Sequence, residues 1–114
     1  MKRVFSDYIR DILEECLYLT RKAENLKLKD FLQDEDFKRA SIRSLEIIGE
    51  ASKKVPKEVR EKYSSIPWKE MAGMRDKLIH EYFGVNYFVV YETIKRDIPE
   101  LKNKIEDLLK ELEE

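Results

Sequence analysis

At 114 residues and a formal net charge of −1, the chain fits a single domain, residues 1–114, with one hydrophobic core of modest size. Its 42% hydrophobic and 41% charged residues, with three Gly and three Pro, exclude disorder and point to amphipathic helices with solvated outer faces. The charge balance excludes tight non-specific binding of long duplexes, which needs a broadly basic surface, but it leaves room for a local basic pocket.

Val4, Phe5, Tyr8, Ile9, Ile12, Leu13, Cys16 and Leu17 recur at three- and four-residue steps, so the spacing predicts a first helix running on to about Leu26. A polar break follows. Asp34 is placed to cap a second helix that carries Phe37, Ile42, Leu45, Ile48 and Ala51. That helix should stop before Pro56, because a residue preceding proline avoids the helical region. Residues from Pro56 to Tyr63 allow a short helical piece. Ser65-Ile66-Pro67-Trp68 reads as a helix start, with Ser65 as cap and Pro67 in the first turn. The next helix would hold Met71, Met74, Leu78 and Ile79 and stop at Gly84. Asn86 would cap a further helix through Phe88, Val89, Tyr91 and Ile94, broken or kinked at Pro99. Leu101, Ile105, Leu108, Leu109 and Leu112 carry the stripe to the C-terminus. No segment alternates as a strand does. The expected fold is all-α, an antiparallel bundle of four to five helices.

Cys16 has no partner for an internal disulfide and sits at an apolar helical position, so it reads as core rather than as a reactive thiol. There is no signal-peptide pattern, and no apolar run approaches the roughly 18 residues of a membrane span. The expected location is cytoplasmic. Lys and Glu are abundant and Gln33 is the only glutamine, a balance found in heat-adapted proteins.

Gly-rich phosphate loops, Cys pairs and His pairs are absent, so no cofactor or metal site is expected. His80 is the only side chain with an ordinary pKa near neutrality, which suits general acid–base work. Met74-Arg75-Asp76-Lys77-Leu78-Ile79-His80-Glu81-Tyr82 sets an Arg, a carboxylate, a His and a Tyr within two helical turns. On one helix Asp76 and His80 are four apart and share a face, so Asp76 would orient the imidazole. Arg75 and His80 are five apart, about 140° around the axis. They meet if the helix ends near His80, or if a second chain supplies half of the site. The second reading is favoured, because it also explains so short a motif in so small a protein. Trp68, Met71, Met74 and Phe83 near the motif would then help build an interface. Taken singly, these residues carry little: a lone His is usually structural, and Asp76 or Arg75 alone would be surface charges.

The pattern as a whole carries more. Arg75, four residues, His80, one residue, then Tyr82 resembles the Arg-x4-His-x-Tyr signature of HepT-like toxins in the HEPN superfamily, with Asp76 directly after the Arg. Ser44-Leu45-Glu46-Ile47-Ile48-Gly49-Glu50-Ala51, Ile66-Pro67-Trp68-Lys69-Glu70-Met71-Ala72-Gly73-Met74 and Asp97-Ile98-Pro99-Glu100-Leu101 are similar to the same branch. The resemblance implies a HEPN-like bundle that forms a homodimer and brings two motifs to one cleft. It implies metal-independent RNA cleavage, with the substrate 2′-hydroxyl as nucleophile and a 2′,3′-cyclic phosphate as product. It also implies a toxin–antitoxin pair. The cognate partner would be a minimal nucleotidyltransferase that silences the toxin by adding AMP to Tyr82. On an unbroken helix Tyr82 would share a face with Arg75, about 10 Å along the axis. Packing in a core or interface is the plainer role for that ring.

The residue chemistry agrees with such a mechanism. His80 can act as base or acid, and Arg75 can hold two phosphate oxygens with its planar fork. Gly49 in mid-helix costs roughly 1 kcal/mol against Ala, so either close helix packing or backbone approach at the cleft must favour it. Glu46 and Glu50 could line the cleft or pair with Arg75, or be solvated surface groups. From a different class, the alternative function is a non-catalytic nucleotide- or protein-binding subunit of a nucleotidyltransferase. The intact Arg75 and His80 favour cleavage.

Overall fold

In the computed structural model, which describes residues 4–80 and 84–113 and only the backbone of Arg75, Ile79 and His80, the first stripe is helix α1 (Phe5–Ala23). Its start is fixed locally. Val4 is extended, and its N–H donates to the Asp7 carboxylate at 3.3 Å. Ile9, Ile12, Cys16, Leu19 and Ala23 form the buried face. The helix stops short of Leu26: Glu24 leaves helical geometry with ψ 122°, and Asn25 follows left-handed, with φ 60°, a conformation Asn tolerates better than most residues.

The expected polar break holds a short helix instead, α2 (Leu28–Gln33). Phe31 anchors it. Fully buried, this ring meets Phe37, Tyr87 and Tyr91 at centroid distances of 5.6, 6.3 and 5.7 Å. Asp34 caps α3 (Glu35–Lys53) as expected, accepting from the Phe37 N–H at 3.0 Å. The helix ends before Pro56. Three of its inward positions are serines, Ser41, Ser44 and Ser52, and two of them donate back into the helix, Ser41 to the Phe37 carbonyl and Ser52 to the Gly49 carbonyl. Neither of these two hydroxyls is left unpaired in the core.

Helix α4 (Lys57–Lys62) is the short piece after Pro56. Helix α5 (Trp68–Ala72) begins two residues later than the cap reading required. Pro67, not Ser65, occupies the cap position, and no side chain caps it. The carbonyl of Ser65 instead accepts from Lys104 Nζ at 2.9 Å. Trp68 donates its indole N–H to the Tyr63 carbonyl at 3.1 Å and is buried.

A single helix from Pro67 to Gly84 does not form. The α5 helix ends at Gly73, and α6 (Met74–Leu78) follows as a separate element. Strand β1 (Ile79–His80) then pairs antiparallel with β2 (Gly84–Val85), His80 opposite Gly84. Gly84 is left-handed, φ 75°, as a helix stop would be, but it serves this two-residue ladder. Asn86 caps α7 (Tyr87–Glu92) through the Val89 N–H, as its position predicts.

Pro99 does not end its element. A π-helical turn, Thr93–Asp97, precedes α8 (Ile98–Glu113), and the Ile98 N–H bonds the Thr93 carbonyl five residues back. Proline lacks an N–H, and its ring crowds the carbonyl four residues earlier. The wider turn makes room for both defects while the chain stays helical.

The core lies where α1 packs between α3 and α8, with α5, α6 and the π turn closing its ends. The fold is thus all-α, a HEPN-like helical bundle, apart from one minimal ladder. Among the described residues no helix is long and apolar enough to cross a membrane.

Candidate functional site

Helix α6 has only five residues, too few to persist alone in water. Burial holds it: Met74 and Leu78, four apart, both face inward. Asp76 and Lys77 therefore face solvent. Arg75 is the second residue of α6, and His80 is the second residue of β1. Their side chains, and all of Tyr82 and Phe83, lie outside the described residues.

Two geometric expectations change here. Because α6 ends at Leu78, His80 is not on the helix that carries Asp76, and the four-residue same-face relation does not hold. The same stop removes the unbroken helix that would have aligned Arg75 with Tyr82. It also removes the angular obstacle to Arg75 and His80 meeting within one chain, since that obstacle assumed a continuous helix. The backbone reverses at the ladder, and the Asn86 N–H bonds the Leu78 carbonyl at 3.1 Å, tying the end of α6 to the start of α7.

Trp68, Met71 and Met74 do not supply an interface. All three are buried in the chain's own core. The methionines are filler rather than ligands. Cys16 is likewise core: its thiol is fully buried, and burial, with a smaller push from Glu15, raises its pKa to about 12.

The second-helix candidates divide between two sides of α3. Gly49 is buried against α5, where an added Cβ would meet the Met71 carbonyl oxygen at 3.0 Å. Close backbone packing accounts for this glycine. It also fixes α5, and so the point from which α6 departs. Glu46 and Glu50 face the other way, into a groove shared with Tyr8 and Arg43. Glu50 pairs with Lys53 at 3.3 Å.

A cleft of about 570 Å³ runs between α5–α6 and the π turn with the start of α8. From α6 it takes Met74 and Lys77, and Asp76 does not line it. A second groove, about 520 Å³, lies between the C-terminal end of α1 and the π turn, lined by Arg21, Lys95 and Lys102. Sequence reading missed these three cations as a group. They are far apart in the chain and converge only in the fold.

Comparison with known proteins bears on nearly the whole chain. The profile of the family described as "Ribonuclease HepT-like" matches residues 7–108. A protein named "Putative RNase" from Caldanaerobacter subterraneus subsp. tengcongensis is 55% identical over 102 residues, 90% of this chain and 91% of that one. One named "Probable ribonuclease HepT" from Thermococcus cleftensis is 49% identical over 110 residues, covering 96% and 100%. A further "Putative RNase" from Methanocaldococcus jannaschii is 48% identical over 112 residues, covering 98% and 93%. No solved structure matches the chain.

Proposed function

The chain belongs to the HepT-like ribonuclease family, and on that premise we propose that it is a metal-independent RNA-cleaving toxin acting in the cytoplasm. The observation that carries this reading is the coincidence of that family match with an intact Arg75-x4-His80-x-Tyr82 motif in the sequence, with Arg75 in α6 and His80 in β1.

In the proposed reaction the 2′-oxygen of the RNA attacks the adjacent phosphorus. One His80 takes the 2′-hydroxyl proton, and a second His80, from the other copy in a homodimer, gives a proton to the departing 5′-oxygen. The bond to that oxygen breaks, leaving a 2′,3′-cyclic phosphate and a 5′-hydroxyl. Arg75 holds two oxygens of the crowded phosphorane, where negative charge is greatest. Asp76, exposed on α6, adds a carboxylate near the site and is kept as a secondary candidate for orienting His80. Regulation rests on Tyr82. A cognate minimal nucleotidyltransferase would add AMP to its hydroxyl, placing a phosphodiester beside Arg75 and blocking the cleft.

The test is RNA cleavage in excess chelator by wild type and by folded His80→Ala. Cleavage that survives chelation and disappears in the variant supports the mechanism. Cleavage that vanishes with chelator, or persists without His80, sinks it. A folded wild type that cuts no RNA yet binds the nucleotidyltransferase would make the chain a binding subunit instead.

A further inference from the structure

A protein of net charge −1 has no general field to hold a polyanion, so an RNA strand must find its cations locally. Four grooves on the described surface offer no such excess. The cleft beside α6 sets Lys69, Lys77 and Lys104 against Glu70, Asp97 and Glu100. The groove by Tyr63 sets Lys104 and Lys110 against Asp107 and Glu111. That by Phe88 sets Lys77 and Arg96 against Glu92 and Asp97. The groove by Tyr8 is net negative, with Arg43 and Lys54 against Asp11, Glu46 and Glu50. The groove between α1 and the π turn departs from these four. Arg21, Lys95 and Lys102 face a single acid, Glu24.

The cations there are not neutralised within the groove, although the Arg21 guanidinium lies 5.8 Å from the centre of the Tyr18 ring. Among the described residues no carboxylate lies within ion-pair distance of Arg21 or Lys95, and Lys102 pairs only with Glu106, at 3.4 Å. Lys95 spends one of its three donors on the Ala23 carbonyl, at 2.9 Å. That bond offsets the negative end of the α1 dipole, which would otherwise oppose an anion at this place. The floor is apolar: Leu17, 41% exposed, with Ile94 and Pro99. One wall is the π turn, a distortion that recurs at functional sites.

We propose that this groove is an RNA-binding exosite, in which Arg21, Lys95 and Lys102 hold phosphates of the strand away from the scissile bond. The proposal rests on the RNA-cleaving reading but concerns a separate surface. Phosphates take the cations and the sugar edges lie on Leu17 and Pro99. With no exposed aromatic ring in the groove to stack a base, binding there is indifferent to sequence.

The test uses a 2′-O-methyl RNA dodecamer, which binds without being cut, and follows fluorescence anisotropy from 50 to 200 mM salt. The Arg21→Ala/Lys102→Ala double variant leaves Lys95 in place, because its bond to Ala23 ties two elements together. Losing two phosphate contacts should flatten the slope of log affinity against log salt by about 1.4, so wild type has about a sevenfold steeper loss over that range. Lys110→Ala, in a balanced groove, should match wild type. Circular dichroism and melting check the fold of each variant. On cleavable RNA the double variant should raise KM for the dodecamer and leave dinucleotide cleavage unchanged. Equal affinity and slope in wild type and double variant overturn the exosite while leaving cleavage intact. So does wild type that fails to bind the dodecamer. Wild type that binds it with the steep slope but cleaves no RNA supports the exosite and overturns the cleavage reading. Loss of a protein partner, with RNA binding unchanged, would assign the groove to that partner and overturn the proposal.

Discussion

Gly49 in the middle of α3 and the carbonyl oxygen of Met71 at the end of α5 are so close that a Cβ on Gly49 would lie 3.0 Å from that oxygen. The contact is with backbone, which cannot swing aside as a flexible side chain can. The residue that departs from good helix-forming chemistry is therefore the one that lets α5 approach, and α6 leaves from the end of α5.

Gly49→Ala accordingly sets two effects against each other. Helix propensity gains roughly 1 kcal/mol, while overpacking typically costs about 1–3 kcal/mol. The expected outcome is a net loss of about 1 kcal/mol in urea unfolding. RNA cleavage should fall as well, because the displaced segment leads into Arg75. A variant more stable than wild type would show that α5 yields at no cost.

Arg75→Lys keeps the charge and removes the planar fork. If the fork holds the phosphorane, kcat/KM for RNA should drop by about 100-fold or more, with the melting temperature unchanged. A variant within about threefold of wild type would leave Arg75 a point charge at most.

Incubation with the cognate nucleotidyltransferase, ATP and Mg²⁺ should add an adenylyl group to wild type and abolish cleavage, with no adduct on Tyr82→Phe. Intact-mass measurement reads the result. An unchanged wild-type mass with a demonstrably active partner, or the same adduct on the Phe variant, would show that Tyr82 is not the regulated position.

The proposed composite site requires a homodimer. Analytical ultracentrifugation at micromolar concentration should give the mass of two chains. Since Trp68, Met71 and Met74 are consumed by the core, a dimer must be built from other residues. A mass equal to one chain would count against two His80 groups sharing one cleft.

Cys16 should resist thiol reagents at pH 8 in the folded protein and react at once in denaturant. Burial holds the folded thiol near 12, so above the ordinary thiol range of about 8.5 the unfolded chain releases its proton first. The unfolded state then binds fewer protons, and stability falls as pH rises through that window. It should be insensitive to Cys16 below it. Rapid labelling of native protein would mean the α1 face opens to solvent.

The legible parts of the fold were those set by neighbours in sequence. Asp34 and Asn86 cap their helices because a short side chain reaches an N–H three residues on. The stripes of α1, α3 and α8 follow helical spacing, and most of their residues turn inward, but Val4 and Leu17 of the first stripe are exposed. The end of α6 was not legible. Met74, Leu78 and Ile79 continue a helical pattern, and only the pairing of β1 with β2 shows that the chain leaves it. Helix α2 escaped notice because its one anchor, Phe31, is buried by rings from α3 and α7. The motif residues themselves were legible by spacing, and the spacing left open both a helix that ends near His80 and a second chain; α6 does end at Leu78. The Arg21, Lys95 and Lys102 group had no signal in the sequence at all.

The π turn before Pro99 has an evolutionary consequence. Such a turn accommodates one residue more than an α-helix needs, so losing one residue between Thr93 and Asp97 would restore a regular helix without rotating Leu101, Ile105 or Leu108 away from the core. That regular helix would then meet the proline ring at full cost, roughly 3 kcal/mol. Deletion and proline are therefore coupled. Lineages one residue shorter in this segment should carry something other than proline at the position equivalent to Pro99, and those that keep the proline should keep the extra residue.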